Sequence, residues 1–101
     1  MATSEERKTK LSPLDAAHAA RSQVAELFGK PAESIAAVSR DGGRGWKVTV
    51  ELVELERIPE TTSLLGSYEV KLDGNGKLVE ARRVRRYPRN QSDPAQRKDE
   101  S

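Results

Sequence analysis

From Trp46 to Leu52 the chain alternates with a period of two: Trp46, Val48, Val50 and Leu52 are apolar, while Lys47, Thr49 and Glu51 between them are polar. Such a segment cannot be an amphipathic helix, whose apolar residues recur every three or four positions. It reads as a strand with one face buried and one in water. The same pattern returns in residues 64–72, where Tyr68, Val70 and Leu72 share one face and Ser67, Glu69 and Lys71 the other. Residues 34–40 read as a shorter strand before them and residues 77–87 as a last strand. Asp41-Gly42-Gly43-Arg44-Gly45 and Asp73-Gly74-Asn75-Gly76 are the turns. Asn75-Gly76 predicts a tight primed hairpin turn, which needs positive φ at its central positions. Pro59 ends or bends the second strand near Ile58.

Before the strands the period is helical. Ser12 is placed to cap a helix, Pro13 sits where its missing N–H costs nothing, and Asp15 lies in the first turn, where the helix dipole favours an anion. Leu14, Ala17, Val24, Leu27 and Phe28 predict the apolar stripe, and Gly29 followed by Pro31 predicts its stop. One helix followed by four strands with short connections predicts an α+β fold: an N-terminal helix packed on a four-stranded antiparallel meander sheet, whose other face stays open. The chain has 101 residues, of which 34% are charged and 4% aromatic, so its core must be small and aliphatic. Residues 1–10 predict a flexible arm, 11–88 a single domain and 89–101 a disordered charged tail.

Two irregularities bear on function. In the second strand the apolar parity slips, since Val53 and Leu55 are odd-numbered whereas Trp46 to Leu52 use even positions. Either a bulge re-registers the strand near Leu52-Val53, or Val53, Leu55 and Ile58 form a small apolar patch at the end of the open face. In the last strand, Ala81 to Arg89 carries five arginines in nine residues. Alternation puts Arg83, Arg85 and Tyr87 on one face and Arg82, Val84 and Arg86 on the other, which suits a sheet edge protected by charge. Glu51, Glu69 and Glu80 are candidates for cross-strand ion pairs. The run then reads as a solvated edge, as a dock for an acidic or amphipathic protein surface, or as a nucleic-acid grip. Against the last, the net charge is only +2, Tyr87 is the run's one stacking residue, and there is no recognition helix.

Little in the sequence suggests catalysis. There is one histidine, His18, and no cysteine, so thiolate metal sites and disulfides are excluded. Glu54 and Glu56 lack the surroundings of an acid/base pair. The Asp73–Lys77 stretch lacks the ligands of a calcium loop, and Gly42-Gly43-Arg44-Gly45 lacks the Gly-Lys-Ser/Thr of a phosphate loop. The expectation is a protein that is not an enzyme, with no catalytic, cofactor or metal site. No apolar run is long enough for a membrane span or a secretory signal, which predicts a cytoplasmic protein.

Four segments then resemble one family in order and spacing. They are Gly45-Trp46-Lys47-Val48-Thr49-Val50-Glu51, Val53-Glu54-Leu55-Glu56-Arg57-Ile58-Pro59, Ser67-Tyr68-Glu69-Val70 and Arg82-Arg83-Val84-Arg85-Arg86-Tyr87. Together they resemble the gas vesicle protein O family (GvpO), over residues 11–91. The resemblance implies a cytoplasmic or gas vesicle-associated accessory protein for building these buoyant protein shells, whose wall is a polymer of a small, very apolar subunit. Its partners would be structural and accessory gas vesicle proteins, with neither nucleic acid nor membrane, and a homodimer through an edge strand is open to it. The residues expected to bind protein are Val53, Leu55, Ile58, Arg82, Arg83, Arg85, Arg86 and Tyr87. The alternative is a nucleic-acid-binding regulator that uses the basic strand Arg82–Arg89.

Overall fold

The computed structural model describes residues 11–91, which form α1 (Pro13–Phe28), β1 (Ala32–Asp41), β2 (Gly45–Leu55), β3 (Leu64–Leu72) and β4 (Leu78–Pro88). Short 3-10 turns lie at Glu60–Thr62 and Arg89–Gln91. The strands pair antiparallel in the order β1-β2-β3-β4, so the expected meander is present and β1 and β4 are its edges. The expected arm, residues 1–10, lies outside the described residues. Of the expected tail, Arg89–Gln91 form a 3-10 turn and residues 92–101 lie outside the described residues.

The helix begins as its sequence dictates. Ser12 Oγ accepts from the Asp15 N–H at 3.1 Å, and Asp15 Oδ2 accepts from the Ser12 N–H at 3.3 Å, which closes a capping box. It ends at Gly29, whose φ of 65° is the left-handed conformation that favours glycine. The buried stripe differs from the expected one: Ala16, Ala17, Ala20 and Val24 face inward, whereas Leu14 and Leu27 are 66% and 58% exposed. The sheet supplies the bulk, through Trp46, Val48, Val50, Leu52, Tyr68, Val70 and Leu72, and the helix meets it with its smallest side chains. Gln23 locks the two layers together. Its Nε2 donates to Gly76 O at 2.8 Å, and its Oε1 accepts from the Leu78 N–H at 2.9 Å.

Extra residues re-register three strands. In β2, Val53 pairs with Leu65 and Leu55 with Leu64, so Glu54 is a bulge. The parity slip is therefore a bulge one residue beyond the expected place, and Val53 keeps the open face. In β4, Val79 and Val84 are extra, because Leu78 pairs with Leu72, Glu80 with Lys71, Arg83 with Tyr68 and Arg85 with Ser67. In β1, Glu33 and Ala36 are extra. The β3–β4 connection is not the primed turn expected from Asn75-Gly76, since Gly76 alone has positive φ there, at 85°. Gly76 N–H donates to Asp73 O at 3.0 Å, and the Asp73 carboxylate accepts from the N–H groups of Asn75 and Lys77 at 2.9 and 3.0 Å. This is a four-residue turn closed by an Asx interaction and a left-handed glycine.

Candidate protein-docking surface

The sheet face opposite α1 has three zones. Nearest the β1–β2 and β3–β4 turns it carries a charge ladder: Lys47 and Arg82 flank Glu69 at 3.8 and 3.3 Å, and Lys71 lies 3.9 Å from Glu80. Each such exposed pair is worth tenths of a kcal/mol to about 1. Glu69 and Glu80 thus make the expected cross-strand ion pairs.

Glu51 is bonded differently. It is 8% exposed, in the middle of the face, and among the described residues hydroxyls donate to its carboxylate. Ser67 Oγ lies 2.8 and 2.9 Å from its two oxygens, and the Tyr87 hydroxyl donates to Oε1 in a very short hydrogen bond. Burial, then the adjacent carboxylate, pushes the Tyr87 phenol up to about 12, which keeps it a proton donor. Arg85 stacks 4.2 Å above the same ring. Beyond Glu51, Val53, Leu65 and Tyr87 form a second small apolar cluster.

A matching pair sits on the helix side. The Glu54 bulge turns its carboxylate toward Tyr68, whose hydroxyl donates a very short hydrogen bond, and Arg83 Nη1 approaches the other oxygen at 3.4 Å. Burial and Glu54 push the Tyr68 phenol up to about 12. The ring of Phe28 lies 4.7 Å from that of Tyr68. Gly66 is the floor on which the Glu54 side chain lies, because a Cβ there would meet it.

The residues expected to form one surface therefore separate. Arg82, Arg85 and Tyr87 share the open face, whereas Arg83 lies with Glu54 and Tyr68 on the helix side, and Arg86 pairs with Gly66. The Val84 bulge is the reason: it breaks the alternation that would have grouped Arg83 with Arg85. Val53 and Tyr87 are 7% and 9% exposed and close on Leu65. What remains outward is the end of the sheet. Leu55 is 46% exposed and Ile58 100% exposed, with Arg86 exposed on β4, the far neighbour of β3 at the same end of the sheet. The segment bearing Ile58 is anchored at its base, where Ser63 Oγ accepts from the Arg57 N–H at 2.9 Å and Ser63 O accepts from the Arg89 N–H at 2.8 Å. The Arg89 side chain bonds Glu33 at 2.7 and 2.9 Å and Glu60 O at 2.9 Å. Arg82 and Arg85 thus meet Glu69 and the Tyr87 ring on the open face, Arg83 meets Glu54 on the helix side and Arg89 meets Glu33, so the run is divided between two faces, with Arg86 exposed at the edge.

Sequence reasoning missed Leu65, Ser67, Glu54 and Gly66. Only Gly66, a glycine inside a strand pattern, carried a signal, since such a residue often marks a close approach. Among the described residues no helix is long and apolar enough to cross a membrane.

Fold and surface define a helix-backed α+β domain in which, among the described residues, one sheet face and two sheet edges carry no further layer or strand and Leu55 and Ile58 form an exposed apolar corner. The chain belongs to the gas vesicle synthesis protein GvpO family, which it matches over residues 1–93. It is 50% identical over 82 residues to gas vesicle protein O of a Streptomyces sp. (strain CB03234), covering 81% of this chain and 63% of that protein. It is 36% identical over 75 residues to gas vesicle protein O of Haloferax mediterranei, covering 74% of this chain and 54% of that protein. The chain thus spans 63% and 54% of the lengths of these two relatives. The family that the four segments resemble is the family found. No solved structure shows significant similarity to the chain.

Proposed function

We propose that the chain acts in gas vesicle formation as a cytoplasmic, non-enzymatic accessory protein that needs no cofactor and docks wall or accessory gas vesicle proteins through the Leu55–Ile58 corner and the arginines beside it. The observation that carries this reading is Ile58, 100% exposed on a segment anchored by Ser63 and Arg89. Covering an isoleucine of that kind with a partner is worth about 1.5–3 kcal/mol, and within its own chain it contributes nothing of the sort. Arg86 at the same end adds charge toward an acidic or amphipathic partner, which steers encounter and orientation. Family membership supports the pathway, and the open sheet leaves two edges on which a second copy could pair.

The test uses Ile58→Asp and Arg86→Glu, singly and together, in a reconstituted gas vesicle gene cluster. Arg83 and Arg85 are poor choices, because reversing them disturbs Glu54 and Tyr87. Expected is loss of vesicles by electron microscopy and loss of co-purifying gas vesicle proteins, with the buried Trp46 fluorescence unchanged. Normal vesicles and unchanged co-purification from the folded double variant would overturn the reading.

A further inference from the structure

The two edges of the sheet are unlike. β4 is lined with arginines from Arg82 to Arg86, a device that discourages strand addition, while each edge strand carries two extra residues. β1 carries no charge from Ser34 to Ser39, a run of Ser, Ile, Ala, Ala, Val and Ser. Its charges, Glu33, Arg40 and Asp41, lie outside that run; Glu33 is held by Arg89 at 2.7 Å and Arg40 lies over the Trp46 ring at 4.4 Å. Ser34, Ala36, Ala37 and Ser39 are exposed, and among the described residues no strand pairs with the outer side of β1.

The bulge at Ala36 gives this edge a further property. Ile35 pairs with Val50 and Val38 with Val48, and both pack against the helix-side core, although three residues apart they would ordinarily face opposite ways. The pattern about Ala37 is then palindromic in face and in character. Counted in ladder positions, with Ala36 outside the ladder, Ile35 and Val38 lie one step either side of Ala37 on one face, and Ser34 and Ser39 lie two steps either side of it on the other. A strand with that symmetry is complementary to its own reverse.

We propose that the chain self-associates by antiparallel pairing of β1 with β1 of a second copy, about a two-fold axis through Ala37. With Ala36 of each copy left outside the ladder, the pairing sets Ile35 against Val38 of the partner subunit and Ser34 against Ser39 of the partner subunit. Opposed residues share a face in an antiparallel pair, so both helices lie on one side of a continuous eight-stranded sheet, counted as twice the four strands of one chain, and both open faces lie on the other. The proposal does not depend on the Leu55–Ile58 dock, and failure of either leaves the other standing.

The full chain has no cysteine, which permits a clean test. Across an antiparallel pair, opposed Cα atoms lie about 4.5–5.5 Å apart, within disulfide range. Ala37→Cys is expected to form a disulfide-linked dimer under mild oxidation, and Val84→Cys on the β4 edge to do so much more slowly. Sedimentation should give concentration-dependent mass up to twice 11.2 kDa. Ala37→Lys, which opposes two ammonium groups on the axis, should weaken the dimer about tenfold or more without changing Trp46 fluorescence. A chain that sediments as a monomer throughout, or crosslinks no faster through Cys at 37 than at 84, overturns the proposal, as does a dimer indifferent to Ala37→Lys.

Discussion

Substituting Gly66 with alanine should destabilise the protein, although the site looks permissive. Its φ is not positive, and glycine within a strand ordinarily costs about 0.5–1 kcal/mol relative to alanine, so a bare backbone argument predicts a gain. The structure predicts the reverse. A Cβ at Gly66 would lie 3.0 Å from both Cγ and Cδ of Glu54, and closer still to Oε2. The carboxylate must move, and it then leaves the Tyr68 hydroxyl and Arg83. A buried donor that loses its partner costs about 1–3 kcal/mol. The Arg83 pair, half in water, adds tenths of a kcal/mol. Set against the backbone gain, the net loss is about 1–2 kcal/mol, and each kcal/mol lowers Tm by about 4–8 °C in a domain of this size. Urea denaturation followed by Trp46, the chain's one tryptophan, measures it. Tyr68→Phe removes the same hydrogen bond, so the two changes together should cost clearly less than their sum. A stabilised Gly66→Ala protein, with Tyr68→Phe costing the same in either background, would refute the placement of Glu54.

Three further outcomes follow from the geometry. Both tyrosines have folded pKa values raised from 10.0 to about 12, so their contribution to stability is complete below pH 10 and is lost as pH rises from 10 toward 12; ultraviolet titration of the native protein should show no phenolate near pH 10, and one tyrosine ionising there would contradict the Glu51 and Glu54 pairings. Ala20→Leu overpacks the helix–sheet contact and should cost about 1–3 kcal/mol by chemical denaturation, whereas Leu27→Ala should stay within about 0.5, and the opposite ranking would mean that the helix lies on its leucine stripe. Asp73→Ala should cost about 0.5–1.5 kcal/mol at neutral pH. Hydrogen bonds from Lys77 and Asn75 hold the Asp73 carboxyl below its ordinary value, so its contribution is present above the ordinary carboxylate range and is lost as pH falls through the depressed value; Asp73→Ala should therefore flatten the acid side of the stability curve, and an unchanged acid limb would exclude this carboxylate as its source.

The helix start and stop, the strand order and the β3 limits were legible because they rest on local chemistry. Ser12, Pro13 and Asp15 cap whatever follows them, Gly29 ends it, and period-two alternation declares a half-buried strand whatever it packs against. The site was less legible. Arg83 and Arg85 look like neighbours on one face until Val84 is known to be extra, and no residue type marks a bulge of that kind. Glu51 reads as a solvated polar residue and is instead buried beneath hydroxyls from two other strands. Leu14 and Leu27 are the helix's bulkiest aliphatic residues, yet Ala16, Ala17, Ala20 and Val24 face the sheet.

Periodicity and caps, which act between residues a few positions apart, determined the α+β class, the meander and the presence of an apolar–cationic last third. Register lay beyond them, because whether an extra residue falls at Ala36, Glu54 or Val84 depends on how three strands and a helix pack at once. That choice turned Glu51 and Glu54 inward, closed Val53 and Tyr87 on Leu65, left Ile58 in water and made the β1 edge symmetric, so the surface available to partners was decided by the tertiary structure.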